Sequence, residues 1–262
     1  FQIARQADAD ITLFNGGIPG LLEKNHQDIA WRDLVDFSIT AVPIITSGRT
    51  SRKLQRSEYE MIAKKLKSLR IDVLIMAGGD GSLQFLNTLS EFDINCFGVG
   101  MTIDNDVYGS DYTIGFSTAC EQIIKEVSRL RNTGRALPGR VFMVEILGGY
   151  CGELTLQSAI KCNADIALIP EAQMPLAMLA ERITRKLSTQ NSVVILCSEG
   201  YTKEYSPGFQ GAIDTMIKQL EPQIGVRIRK TIVGYGLRSG DPTCEEIYQG
   251  TIMASEVVRC IQ

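Results

Sequence analysis

Ile71-Asp72-Val73-Leu74-Ile75-Met76-Ala77-Gly78-Gly79-Asp80-Gly81-Ser82 is the stretch that decides the fold. Ile71–Met76 is a short, β-branched, nearly all-apolar run, which predicts a strand. A glycine-rich turn follows, and then an amphipathic segment that predicts a helix. The same unit recurs outward from this point. Strands are expected at Cys96–Val99, Val141–Leu147, Ile166–Ile169, Ser192–Cys197 and Thr231–Val233. Helices are expected at Glu58–Leu69, Thr118–Arg131, Leu176–Leu187, Ala212–Leu220 and Glu245–Cys260, where apolar residues return every three or four positions. Continuously apolar strands imply sheets covered on both faces, so the fold class is α/β, with parallel or mixed sheets flanked by helices.

With 262 residues, the chain is long enough for one large domain or two lobes, and size alone does not choose. Its 27 basic and 30 acidic residues give a formal charge of -3 with no long block of one sign, which argues against nucleic acid and membrane surfaces as partners. No apolar run approaches the roughly 18 residues of a membrane span, and FQIARQADAD lacks the apolar core of a signal peptide, so a cytoplasmic location is expected. The seven cysteines follow no metal-ligand spacing and are expected to be reduced and mostly buried. His26, the only histidine, sits in a polar segment and is expected on the surface. Phe1 in place of Met suggests a piece of a longer gene product.

In sheets of this class, chemistry gathers beyond the carboxyl ends of the strands. Gly78, Gly79 and Gly81 permit a tight turn whose backbone N–H groups could approach a phosphate, with Ser82 beside them, and Asp80 could hold a Mg²⁺ that shields it. The same glycines could equally form a plain turn. The next strand runs into Gly100-Met101-Thr102-Ile103-Asp104-Asn105-Asp106. In an extended loop Asp104 and Asp106 would point the same way and repel unless a cation or hydrogen-bond donors intervene. With Mg²⁺ nearby, one could serve the metal while the other takes a proton from an attacking hydroxyl. The competing reading is an Asx-rich turn.

Gly78-Gly79-Asp80-Gly81-Ser82, Thr102-Ile103-Asp104-Asn105-Asp106 and Gly109-Ser110-Asp111-Tyr112-Thr113-Ile114-Gly115-Phe116, in this order and spacing, resemble the 6-phosphofructokinase family. So do Arg140-Val141-Phe142-Met143-Val144-Glu145, Gly149-Tyr150-Cys151-Gly152-Glu153-Leu154, Ile169-Pro170-Glu171, Ser198-Glu199-Gly200, and Gly234 through Arg238 to Pro242. The resemblance implies a two-lobed fold with the active site between lobes. It assigns 1–116 plus 237–262 to a nucleotide and Mg²⁺ lobe and 117–236 to a sugar-phosphate lobe. It further implies ATP as donor, fructose 6-phosphate or a related sugar phosphate as acceptor, and transfer to the 1-hydroxyl. Asp104 would be the base, with Thr102 near the transferring group and Asp106 in support. Asp80 would serve Mg²⁺, and Arg49 with Gly78, Gly79, Asp80, Gly81 and Ser82 would hold the nucleotide. Leu147, Gly148 and Glu199 would meet the sugar, and Arg140, Arg229, Arg238 and Tyr235 its phosphate. Arg140 and Arg229 would reach into a neighbouring subunit of a homotetramer, or of a heteromer with a catalytic subunit.

Four departures from the family pattern stand out. Gly149 replaces an arginine of the catalytic segment, so the run resembles the regulatory halves of the duplicated animal enzymes, and a weakly catalytic regulatory paralogue is the alternative. Tyr235 stands where the family has histidine. The family's first strand and its glycine turn have no counterpart. Gly81 matches ATP users, whereas Met101 matches neither ATP nor pyrophosphate users, leaving pyrophosphate as the third option. Thr189-Gln190-Asn191 also lacks the lysines of the family's effector site, although Arg131 persists there, which predicts weak or absent regulation by nucleotide diphosphates.

Overall fold

The computed structural model describes residues 2–7, 9–23, 25–37, 39–50, 52–205 and 211–262; Phe1, on which the fragment expectation rests, lies outside them. In chain order the elements are α1 (Gln2–Ala7), β1 (Ile11–Phe14), α2 (Gly17–Leu22), β2 (His26–Ile29), α3 (Arg56–Ser68), β3 (Val73–Gly78), α4 (Asp80–Ser90), β4 (Asn95–Thr102) and β5 (Ile114–Gly115). They continue with α5 (Phe116–Ala136), β6 (Arg140–Ile146), α6 (Glu153–Lys161), β7 (Ile166–Leu168), α7 (Leu176–Leu187), β8 (Ser192–Ser198), α8 (Ala212–Ile224), β9 (Ile228–Ile232) and α9 (Cys244–Ile261). Short 3₁₀ segments cover Trp31–Phe37, Glu199–Tyr205 and Gly234–Arg238.

Two compact units result. The first comprises Phe1–Thr102, Val107–Ile114 and Asp241–Gln262; the second comprises Ile103–Asp106 and Gly115–Gly240. Compared with the expected division at 116/117 and 236/237, the chain crosses two residues earlier, at 114/115, and four later, at 240/241. The short run Ile103–Asp106 goes with the second unit.

In the first unit β3 and β4 run parallel, from Val73 opposite Asn95 to Gly78 opposite Gly100, with β5 on the far side of β4. Leu74 on the sheet meets Ile62, Ala63 and Leu66 of α3 and Phe85, Leu86 and Leu89 of α4, which form the buried core of this unit. The opposite face is not covered as expected: Ile75 is 37% and Met101 46% exposed. A run can be apolar throughout and still present alternate residues to solvent, since composition does not reveal how many layers a sheet receives. β1 and β2 form a separate antiparallel pair in which Phe14 faces His26. His26 is therefore half-buried with its ring 5.7 Å from that of Phe14 and its Nδ1 enclosed, not a surface residue. Strand pairing opposite an aromatic overrides the polar character of its neighbours.

The second unit is built on the wholly parallel sheet β7-β8-β6-β9. Every residue of β8 is buried, and Val141, Met143, Ile195, Leu179, Ile183 and Met216 join sheet, α7 and α8 in one core. β9 covers Ile228–Ile232 rather than Thr231–Val233, because pairing with β6 from Val141–Ile228 to Glu145–Ile232 carries Arg229 and Lys230 into the strand despite their charge. All seven cysteines are free; Cys120 and Cys197 are buried, Cys96, Cys151 and Cys162 half-buried, and Cys244 and Cys260 exposed. No helix among the described residues is long and apolar enough to cross a membrane.

Candidate active site

The first group of candidate residues sits where β3 gives way to α4. Gly79 caps the helix without a side-chain bond, so the leading N–H groups of α4 have no side-chain acceptor there. Gly78 is required by packing: a Cβ on it would fall 2.4 Å from Ser82 Oγ. Gly81, in contrast, opens on free space. A Cβ at Gly79 would lie 3.8 Å from the Cβ of Thr102, so the end of β4 abuts the glycine turn. Gly78, Gly79, Ser82 and Thr102 are thereby brought together, with Asp80 exposed as the first residue of α4.

Thr102 is itself held in place. The fully buried Thr113 donates its hydroxyl to the Thr102 carbonyl at 2.7 Å, and Ser110 donates to the Tyr112 carbonyl at 2.6 Å. The 109–116 segment thus supports the end of β4, a role for Thr113 that no residue type in the sequence announces. Arg49 lies on another loop. There Gly16 N donates to Thr46 O at 2.9 Å and Thr46 N to Asn15 Oδ1 at 3.2 Å, and a Cβ at Gly48 would strike Gly16 O at 2.2 Å. Arg49 is exposed beyond this docked turn.

Beyond Thr102 the loop is not extended. Asn105 has φ +52°, a left-handed conformation that asparagine tolerates, and the buried Ile103 and Val107 pin the loop on either side. The two-residue alternation expected of Asp104 and Asp106 therefore does not apply: Asp104 is half-buried and Asp106 exposed.

In the second unit the loops after β6, β7 and β8 are joined by carboxylates on backbone amides. Glu199 Oε1 accepts from Gly148 N at 3.2 Å and Gly149 N at 2.8 Å. Both glycines have positive φ, +146° and +56°, which turns successive N–H groups toward one acceptor. A Cβ on Gly200 would lie 2.3 Å from Gly149 O, so Ser198-Glu199-Gly200 passes this turn as closely as a backbone can. Glu171 Oε1 accepts from Gly152 N at 2.7 Å. Leu147, Gly148 and Glu199 are thus assembled, and Glu199 has one oxygen already committed. Cys151, two residues beyond the turn, feels the charges of Glu171, Asp106 and Glu153, although burial is the main cause that raises its thiol pKa.

Glu145, two residues before Leu147, is not among the expected site residues. Burial pushes its carboxyl up first and Glu199 second, while Lys230 opposes and Asp214 adds to the rise. Its position beside Glu199 on the neighbouring strand end was predictable only from the β6–β8 register. On the 3₁₀ segment after β9, Tyr235 and Arg238 are both exposed and the guanidinium lies 5.7 Å from the phenol ring.

Arg140 and Arg229 are not brought to this group. Arg140 opens β6 and Arg229 is the second residue of β9, on the same sheet face, at the amino end of the strands. Leu147 and Glu199 lie at the carboxyl end, roughly 20 Å away along the strand at about 3.3 Å per residue. Arg131 is used inside the fold: it donates to the Asn163 carbonyl and lies 3.5 Å from Asp165, which also accepts from Val194 N at 2.7 Å.

A phosphofructokinase family profile matches residues 1–261. The chain is 31% identical over 259 residues to the probable ATP-dependent 6-phosphofructokinase of Mycoplasma pneumoniae, covering 98% of this chain and 77% of that one. It is 30% identical over 250 residues to the ATP-dependent 6-phosphofructokinase of Teredinibacter turnerae, covering 95% and 75%. Among solved structures, phosphofructokinase from Saccharomyces cerevisiae superposes with a TM-score of 0.84 at 25% identity, over 99% of this chain but only 38% of the yeast chain. A pyrophosphate-dependent phosphofructokinase from Nitrosospira multiformis shares the fold with a TM-score of 0.84 at 18% identity, over 98% and 70%.

Proposed function

The chain belongs to the phosphofructokinase family, and from that premise we propose that it transfers the γ-phosphoryl of ATP to the 1-hydroxyl of fructose 6-phosphate, the phosphorylation step of glycolysis, in the cytoplasm. The observation that carries the reading is the run from Thr102 to Asp106, which leaves the end of β4 directly beside the Gly79 turn with both carboxylates intact. Asp104 accepts the proton of the attacking hydroxyl, and Asp106 supports it. The N–H groups at the start of α4, with Gly78, Gly79, Gly81, Ser82 and Arg49, take the nucleotide phosphates.

Asp80 is an exposed carboxylate beside this turn. A single carboxylate next to a phosphate-binding turn fits Mg²⁺, which keeps most of its waters and takes one or two carboxylates along with substrate phosphates. When bound, Mg²⁺ supplies charge neutralisation between the phosphates.

On the acceptor side, Glu199 and the Leu147-Gly148 turn bind the sugar hydroxyls, and Arg238 with Tyr235 binds the 6-phosphate. Arg140 and Arg229, at the far end of the sheet, serve the site of a neighbouring copy in a homo-oligomer, with a tetramer the expected form. A second reading, a sugar-phosphate-binding subunit with little turnover, is favoured by one observation: the Leu147–Gly149 turn carries no cation.

A coupled assay with fructose 6-phosphate and Mg²⁺, comparing ATP with pyrophosphate, tests the proposal. We expect turnover with ATP, and a fall of about 10²–10⁴-fold in Asp104→Asn with sugar-phosphate binding retained. Equal inactivity of wild type and Asp104→Asn would instead leave the non-catalytic subunit as the better reading.

A further inference from the structure

We propose that Lys203 supplies the second unit's positive charge to the transferred phosphoryl group, and so recognises the 1-phosphate of the bisphosphate product. The inference rests on the phosphotransferase reading above. Phosphoryl transfer spreads negative charge over three equatorial oxygens, and a site with little covalent work to do depends on cations placed around them. In the second unit, the segments 103–106, 147–153 and 199–205 carry Asp104, Asp106, Glu153, Glu199 and Glu204, but Lys203 is the only lysine or arginine in any of the three. An active centre made from these loops alone would be a concentration of negative charge.

The geometry brings Lys203 to the turn that needs it. The 3₁₀ segment Glu199–Tyr205 starts in backbone contact with Gly149, where a Cβ on Gly200 would lie 2.3 Å from Gly149 O. The exposed Lys203 places its Nζ 5.4 Å from the centre of the Tyr150 ring, next to that turn. Glu199, four residues earlier, has Oε1 committed to Gly148 N and Gly149 N. Among the described residues Lys203 forms no ion pair, and its ammonium rests on the Tyr150 ring. Gly149 has nothing within 4 Å of where its Cβ would be, so the turn that leads into Tyr150 opens on free space. A cation resting on an exposed phenol ring is weakly held and exchanges readily for a phosphate oxygen.

The test is equilibrium binding of fructose 1,6-bisphosphate and fructose 6-phosphate to the full chain and to Lys203→Met, Lys203→Arg and Lys203→Glu. Lys203 is exposed, so these variants keep the fold, which circular dichroism checks. Loss of a charge-assisted contact to the 1-phosphate should weaken the bisphosphate about tenfold or more in Lys203→Met. It should change the monophosphate by no more than about twofold, and Lys203→Arg should retain wild-type binding. A larger loss in Lys203→Glu would strengthen the assignment. Equal loss for both ligands, or no loss for either, overturns it and leaves the phosphotransferase reading standing. A wild-type chain that binds neither ligand overturns both.

Discussion

Glu145 shows how much of this site depends on neighbours that a linear reading cannot supply. The residue ends a run of buried apolar positions on β6, where burial and the nearby Glu199 both favour its neutral form. Lys230 opposes that rise, but both oxygens of Asp214 bind its ammonium at 2.6 and 2.7 Å. A carboxyl whose folded pKa is raised costs stability when ionised, and that cost disappears as pH falls below the ordinary carboxyl value of 4.5. Glu145→Gln, neutral at every pH, should therefore melt above wild type at pH 7, and the gap should close on acidification below about 4.5. Thermal melts across that range check it; a gap independent of pH would show that packing, not charge, separates the two. Glu199 makes the same point from the other side. Its place after a buried strand was legible, but its bonds to two backbone amides were not, because they depend on positive φ at Gly148 and Gly149.

Among the elements, the long helix α5 separates what apolar periodicity reveals from what it conceals. Apolar spacing predicts Thr118–Arg131, yet the helix starts at Phe116 and continues through Gly134 to Ala136. Gly134 is there for a close approach: a Cβ would stand 2.2 Å from Ser192 Oγ and 3.3 Å from the Phe142 ring. The glycine lets α5 lie against the starts of β6 and β8. Gly134→Ala trades a gain in helix propensity of about 1 kcal/mol against overpacking of about 1–3 kcal/mol. We expect a net loss of stability, read as a lower urea midpoint with an unchanged slope. The central strands were legible in position because a parallel strand buried on both faces is apolar throughout, as β8 is. β9 was misplaced because its charged residues obscured it, and the exposed face of β3 and β4 was missed because alternation is invisible when both sets of residues are apolar.

At the scale of the whole molecule, the candidate residues do not all meet within one chain. Leu147, Gly148 and Glu199 gather at the carboxyl end of the second sheet, whereas Arg140 and Arg229 lie at its amino end, about six strand residues or roughly 20 Å away. A guanidinium reaches only about 7 Å from its Cα, so no rotamer closes that gap. If both groups serve sugar phosphate, as proposed, one chain lends its arginines to another and each site is a composite. Composite sites make a specific prediction about mixtures. Arg140→Ala damages only what a chain lends, and Asp104→Asn only what it keeps. Each variant alone should be nearly inactive, but unfolding and refolding them together should restore activity, because some interfaces then pair an intact Asp104 with a neighbour's intact Arg140. Activity of the co-refolded mixture, against the two variants refolded separately and then mixed, measures this directly. A mixture no more active than its parents would show that Arg140 is not lent to a neighbouring copy's site.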